Sequence, residues 1–154
     1  MHISILSIGR FENSPHKAVF ENYFKRLKWK IELREFDLKN ANNLSVEKIK
    51  EGEGALILKA LKPSSKLIAL DEKGRQFASE DFAKLLSDFA LQGDSNLAFA
   101  IGGSNGLSQE VLKKASMKIS FGLATFPHLM VRSILIEQLY RAMTIIDRHP
   151  YHKN

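Results

Sequence analysis

The stretch that decides the fold is FGLATFPHLMVRSILIEQLYRAMTIIDRHPY, residues 121–151. Twelve of the nineteen residues from His128 to Ile146 are apolar. Five of the seven others, Arg132, Ser133, Glu137, Arg141 and Thr144, trace one narrow stripe when wound at 3.6 residues per turn, which predicts a helix wetted on one edge only. Pro127 has no N–H to lose and a φ suited to a first turn, so it marks the start; Pro150 marks the stop. A helix apolar around most of its girth needs cover on more than one side, from its own chain or from a second subunit. The second subunit is favoured.

Upstream of this helix, apolar runs and breakers alternate. His2–Ile8 reads as a buried strand closed by Gly9, and Ser14–Pro15 as a cap and first turn before the apolar face Ala18, Phe20, Tyr23, Phe24 and Leu27. Lys30–Leu38 is a second strand. Ser45–Leu61 is a helix weakened by Gly52 and Gly54 and stopped before Pro63. Lys66–Leu70 is a third strand ending at the turn Asp71–Gly74. Ser79 is expected to cap the next helix, which carries Glu80 and Asp81 at its positive end and stops at Gly93. Leu97–Ile101 is a fourth strand, 102–107 a loop, Ser108–Ala115 a short helix and Lys118–Phe121 a fifth strand. Strand and helix alternate throughout, which argues for an α/β fold with a mostly parallel sheet and helices on both faces. In such sheets ligands sit beyond the carboxyl ends of the strands, so Leu70–Gly74, Gly102–Gly106 and Phe121–Phe126 become candidates together.

With 154 residues, 44% hydrophobic and 26% charged, the composition is that of a soluble globule, expected to be one domain over residues 1–154. No apolar run approaches the roughly 20 residues that span a bilayer, and MHISILSIGR lacks a signal peptide's basic start and cleavage site. The absence of cysteine excludes disulfides and thiolate metal sites and fits the cytosol, the expected compartment. Lys and Arg exceed Asp and Glu by six, and the sequence pI is about 9.6. That balance suits an anionic partner such as nucleic acid as well as plain solubility. Clusters fall at Lys25/Arg26/Lys28/Lys30, Lys59/Lys62/Lys66 and Lys113/Lys114/Lys118, and three of the five histidines, His128, His149 and His152, lie near the C-terminus.

Gly102-Gly103-Ser104-Asn105-Gly106 follows the fourth strand. Its glycine spacing is not the dinucleotide fingerprint. It does spell G-x-S-x-G, the nucleophile elbow of serine hydrolases, with Asp147 and His149 following in the right order. Against a hydrolase, Leu107 and a fresh cap at Ser108 interrupt the direct strand-to-helix turn, and Asp147 and His149 are too close in sequence to serve each other. Two readings remain: glycines that permit a tight turn, or a bare backbone that a flat polar ligand can approach.

FAIGGSNG at 99–106 with Leu107-Ser108, ISFGLATFPH at 119–128, Arg132, EQLYRA at 137–142 and PYH at 150–152 occur together at spacings that resemble the RlmH family of bacterial ribosomal RNA methyltransferases, in the SPOUT superfamily. The resemblance covers essentially the whole chain, including Ile8-Gly9 and LDEKG at 70–74. It implies a SPOUT-type α/β fold with a C-terminal trefoil knot, in which the chain threads a loop against the usual rule. It also implies a homodimer that uses S-adenosylmethionine, without a metal, to methylate N3 of a pseudouridine in the 23S rRNA of assembled ribosomes. Carried over residue by residue, the cofactor contacts fall on Leu70, Gly102, Phe121, Gly122, Leu123, Ala124, Thr125 and Phe126, with Leu70, Leu123 and Phe126 as apolar walls. The catalytic or substrate candidates are His152 for the target base, Arg132 for an RNA phosphate or developing negative charge, and Tyr151 for stacking. Arg132 has a plainer alternative, pairing with Glu137 or a main-chain carbonyl. His128 is expected to order the helix start. Where many family members end in tyrosine, histidine, arginine, this chain has Lys153, which keeps the charge but loses the planar fork. A nucleic-acid-binding module without chemistry is the other class the basic charge suits.

Overall fold

The computed structural model describes residues 1–152, so Lys153 lies outside the described residues. Five strands alternate with five helices: β1 (His2–Ile8), α1 (Pro15–Phe24), β2 (Lys30–Phe36), α2 (Val46–Ala60), β3 (Lys66–Gln76), α3 (Ser79–Leu91), β4 (Asn96–Ile101), α4 (Gln109–Lys114), β5 (Met117–Ser120) and α5 (His128–Ile146), with one 3-10 turn at Ala41–Asn43. The sheet is parallel throughout, in the order β2-β1-β4-β3-β5.

Period-two alternation divides the core between the two faces of the sheet. Ile3, Ile5, Ile68, Leu97, Phe99 and Ile101 point to the side covered by α1, α3 and α5. Leu6, Ile8, Leu67 and the small Ala69, Ala98 and Ala100 point to the side covered by α2 and α4. Small residues on that second face let α2 sit low on the sheet. There a Cβ on Gly54 would fall 2.2 Å from the Ser108 Oγ, and that hydroxyl caps α4 by accepting from Val111 N–H at 3.3 Å. The covered faces explain why the strands read as nearly continuous apolar runs.

Three expectations need correction. The turn expected at Asp71–Gly74 lies inside β3: Leu70 and Arg75 both stand opposite Ile119, and the residues between them bulge out of the ladder. Gly74 is needed there because a Cβ would sit 2.5 Å from the Ile119 carbonyl carbon. Ser79 does not cap α3; Ala78 takes that position, and the Ser79 hydroxyl donates instead to Gln138 Oε1 at 3.1 Å. Most consequentially, the polar stripe of α5 is not wet. Arg132, Ser133 and Thr144 are buried, with Ser133 Oγ donating to the His16 carbonyl at 2.9 Å and Thr144 Oγ1 to the Arg141 carbonyl at 2.7 Å. The half-open strip of α5 carries Met130, Ile134, Glu137 and Arg141, because α1 and α3 grip the helix from either side.

Candidate active site

Three loops at the carboxyl ends of the sheet close around one cleft of about 920 Å³. The first wall is Leu70 with the β3 bulge Asp71–Lys73; the second is the loop Gly102–Gly106; the third is the β5–α5 connection, where Phe121, Gly122, Ala124, Thr125 and Phe126 line the space. Seven of the eight expected cofactor residues therefore meet here. Leu123 does not: it is 90% exposed and points away from the cleft. The expectation of an apolar wall at that position is corrected, since its neighbours on the loop tip face inward and turn it out.

The middle wall is built from backbone. Gly106 N–H donates to the Gly103 carbonyl at 3.0 Å, closing a tight turn, and Gly106 has φ +78°. A Cβ on Gly102 would lie 2.5 Å from the Gly106 carbonyl carbon and 2.8 Å from the Leu107 nitrogen. The glycine is required by this approach of chain to chain. Opposite, Ser120 and Gly122 are tied by two hydrogen bonds, the hydroxyl donating to the Gly122 carbonyl at 2.7 Å and accepting its N–H at 3.2 Å. A pocket with bare N–H and C=O groups on one side and Leu70 and Phe126 on the other suits a flat nitrogen heterocycle with a polar edge. These residues fit the adenine of S-adenosylmethionine.

Glu53 supports the middle wall from behind and was not singled out in the sequence. It projects from α2, sets its carboxylate against the Gly103 backbone, and leaves Oε2 buried without a partner. Burial pushes its carboxyl above the usual carboxylate range, and the Gly103 N–H opposes that. The sequence does carry a signal, since Gly52 and Gly54 flank Glu53. A Cβ at either would strike Leu38 or Ser108, so the glycines that weaken the helix also let it press this carboxyl against the loop. Glu53→Ala is expected to weaken S-adenosylmethionine binding roughly tenfold by calorimetry, the cost of one buried donor left unpaired. With a folded value raised above the unfolded one, Glu53 contributes stability that is full below the unfolded value and lost as pH rises through the folded one. Relative to wild type, the thermal midpoint of Glu53→Gln should therefore rise between pH 4 and pH 7.

His128 is the first residue of α5, after Pro127 at the cap position, and its ring lines the cleft. Burial and then the charge of Arg132 hold its imidazole below the usual histidine value. Arg132 itself is fully buried. It donates to Glu35 Oε1 at 2.7 Å and to the carbonyls of Ile8 and Gly9 at 2.5 and 2.9 Å, and Glu35 Oε1 also accepts Phe11 N–H at 2.9 Å. Its guanidinium therefore fastens α5 to the end of β1, and the expectation of a phosphate contact is corrected: no face of the group reaches solvent. The plainer alternative is right about the main-chain carbonyls. Its carboxylate is Glu35, while Glu137 pairs with Arg141 at 2.5 Å.

Tyr151 and His152 lie elsewhere, and neither lines the cleft of its own chain. The Tyr151 hydroxyl is 3.2 Å from both Tyr23 Oη and Glu137 Oε1, and Arg26 and Arg141 stand 5.4 and 4.9 Å from its ring centroid. Burial, then Tyr23 and Glu137, push its phenol well above the ordinary value. His152 Nε2 is 2.8 Å from Glu80 Oε1, and its Nδ1 is 3.4 Å from Arg141 Nη1. The nucleophile-elbow arrangement is not formed. Ser104 sits in a turn between two glycines, while Asp147 pairs with Lys28 at 3.0 Å, and neither Asp147 nor His149 lines the cleft. Among the described residues no group of His, Cys, Asp or Glu side chains could hold a metal ion, and no helix is long and apolar enough to cross a membrane.

An all-parallel α/β sheet with a nucleotide-sized cleft built from backbone loops at its carboxyl ends defines the class: a nucleotide-cofactor-binding α/β protein. Residues 1–152 match the family described as "Predicted SPOUT methyltransferase". The chain is 47% identical to the "Ribosomal RNA large subunit methyltransferase H" of Clostridium botulinum strains Hall and ATCC 19397, over 99% of this chain and all of each relative. It is 43% identical, with the same coverage, to the "Ribosomal RNA large subunit methyltransferase H 1" of Clostridium perfringens strain SM101. The chain belongs to the SPOUT methyltransferase family.

Proposed function

We propose that this protein is a cytoplasmic methyltransferase that uses S-adenosylmethionine to methylate N3 of a pseudouridine in 23S rRNA of the assembled ribosome, acting as a homodimer. The observation that carries this reading is the meeting of Leu70, Gly102 and the Phe121–Phe126 loop around one cleft, and the relatives' names supply large-subunit rRNA as the substrate class. Backbone groups of the Gly102–Gly106 loop hold the adenine edge, and Leu70 and Phe126 pack its faces. The cofactor supplies an electrophilic methyl group on a sulfonium. The nucleophile, an imide nitrogen, is a weak acid, so its proton must leave as the new N–C bond forms and the S–CH3 bond breaks, its electron pair returning to sulfur as a neutral thioether. The knotted path belongs to the same proposal, supported by the β5–α5 connection and the Gly102–Gly106 loop bordering one cleft before α5 begins.

His152 contacts the target base and accepts or shares the N3 proton, a task within the reach of an imidazole nitrogen at hydrogen-bond distance. Tyr151 stacks on a base. Since neither lines its own cleft, pairing of subunits brings the basic end of one, with Arg26, Arg141 and His152, beside the cofactor loop of the other. The half-open strip of α5 supports this: Met130 and Ile134, with Val19 and Tyr23 of α1, border a shallow hollow of about 320 Å³. Arg132 serves by holding the first turns of α5, and His128 with them, against β1.

Transfer of tritiated methyl to intact ribosomes, and its absence from a control rRNA lacking the pseudouridine, is the expected result; no incorporation into any RNA overturns the proposal. His152→Ala is expected to keep cofactor affinity and lose turnover on the order of 100-fold, and unchanged methylation removes it from the chemistry. A monomeric mass at micromolar concentration with full activity overturns the dimer.

A further inference from the structure

The mouth of the cleft carries positive charge that the function proposed above leaves unused. Lys50 of α2, Lys73 in the β3 bulge and Lys118 of β5 all line it, although they come from three elements far apart in sequence. Among the described residues, none of the three pairs with a carboxylate, whereas Lys28, Lys62 and Lys66 pair with Asp147, Glu32 and Asp94. Two acids share the rim and are engaged within it. Asp71 Oδ1 accepts the Lys73 N–H at 2.9 Å, and Glu72 Oε2 is 3.5 Å from the Thr125 hydroxyl. Lys73 and Lys118 are exposed and Lys50 is half-buried, so the ammonium groups ring the entrance rather than line the floor.

An unpaired ammonium on a flexible stem is a point charge for an oxyanion. Three of them, fixed to a strand, a bulge and a helix, define a path rather than a spot, and phosphate contacts of this kind set register without reading bases. The cleft lies near the upper end of the roughly 300–1,000 Å³ typical of small-molecule sites, leaving room for a target nucleotide beside the methyl donor. We infer that Lys50, Lys73 and Lys118 form a clamp for the phosphates on either side of the target nucleotide, which decides which nucleotide of the RNA enters the cleft. The clamp rests on the methyl-transfer reading, whose substrate it positions. The same chemistry could serve the α-carboxylate of the methyl donor, but one carboxylate does not need three cations spread around an entrance.

The test is the triple variant Lys50→Gln/Lys73→Gln/Lys118→Gln of the full chain, with Lys17→Gln/Lys39→Gln/Lys84→Gln, exposed lysines away from the cleft, as the charge-matched control. Affinity for a 23S rRNA fragment containing the pseudouridine is measured against salt concentration, S-adenosylmethionine affinity by calorimetry, and KM for ribosomes separately from kcat. Each phosphate contact contributes close to one unit of slope in log K against log salt. The clamp variant should lose about three units of slope and on the order of 100-fold in RNA affinity at 0.15 M salt. KM for ribosomes should rise while kcat and cofactor affinity hold, and the control should keep most of its affinity. The three single variants, each losing about one unit, decide the matter if the triple fails to fold. An unchanged slope and KM overturns the clamp, and so does a loss confined to S-adenosylmethionine affinity, which would assign the lysines to the donor's carboxylate. If wild type methylates no RNA, the function proposed above fails and the clamp with it, whereas methylation by wild type with slope and KM unchanged in the variant overturns the clamp alone.

Discussion

Gly102→Ala is expected to abolish detectable S-adenosylmethionine binding and to lower methyl transfer by on the order of 100-fold, although it adds a single carbon. The added Cβ would meet the Gly106 carbonyl carbon at 2.5 Å, its oxygen at 2.7 Å and the Leu107 nitrogen at 2.8 Å. All three are backbone atoms, so no side chain can swing aside, and the Gly103–Gly106 turn must move bodily. That turn is one wall of the cleft, and a displacement of about 1 Å at a positioning element costs on the order of 100-fold in rate. The stability cost is smaller, about 1–3 kcal/mol for overpacking. Gly93→Ala separates the two effects. Gly93 ends α3 at φ +88° with open space around it, so alanine there costs about 1 kcal/mol of backbone strain and leaves cofactor binding alone. Calorimetry on the two variants checks the contrast. Equal binding losses in both would place the effect in stability rather than in the wall.

Arg132→Met should be the most destabilising of the side-chain substitutions, by about 3–5 kcal/mol, because removing one partner strands the other in a buried pair. Glu35 would lose its cation, and the Ile8 and Gly9 carbonyls their donor. For a chain of this size the thermal midpoint should fall by roughly 10 °C. Adding Glu35→Gln should recover part of the loss, since the stranded charge is removed. Arg132→Lys keeps the charge but cannot reach the carboxylate and two carbonyls with one fork, and should fall between. If Arg132→Met melts with wild type and loses only RNA affinity, the guanidinium is not the tie that its burial indicates.

The layout of the fold was legible because it follows from local pattern. The apolar runs of β1 and β4 and the caps Ser14 and Ser108 each act within a few residues, and the elements fall within a residue or two of their expected bounds, apart from β3 and the end of α1, which stops at Phe24 short of Leu27. The cleft was legible for a related reason: all-parallel strands deliver their loops to one rim, so Leu70, Gly102 and Phe121 meet whatever the details. What failed was everything decided by distant partners. Polarity placed Arg132, Ser133 and Thr144 at the surface, but Glu35 stands 97 positions from Arg132, and His16 stands 117 from Ser133. No periodicity within α5 records either partner. Leu123 was misjudged because hydrophobicity says that a side chain prefers cover, not that its loop provides any. The tail was placed by resemblance, and within one chain Tyr151 and His152 pack against α1, α3 and α5 instead of the cleft.

Three loops at one rim of the sheet are proposed to form a single site for a sulfonium nucleotide. Isothermal titration of the purified full chain with S-adenosylmethionine tests it most directly. A saturable heat with one site per chain, lost in Gly102→Ala and retained in His152→Ala, is the result expected. No heat with wild type, or equal binding by Gly102→Ala, would contradict it.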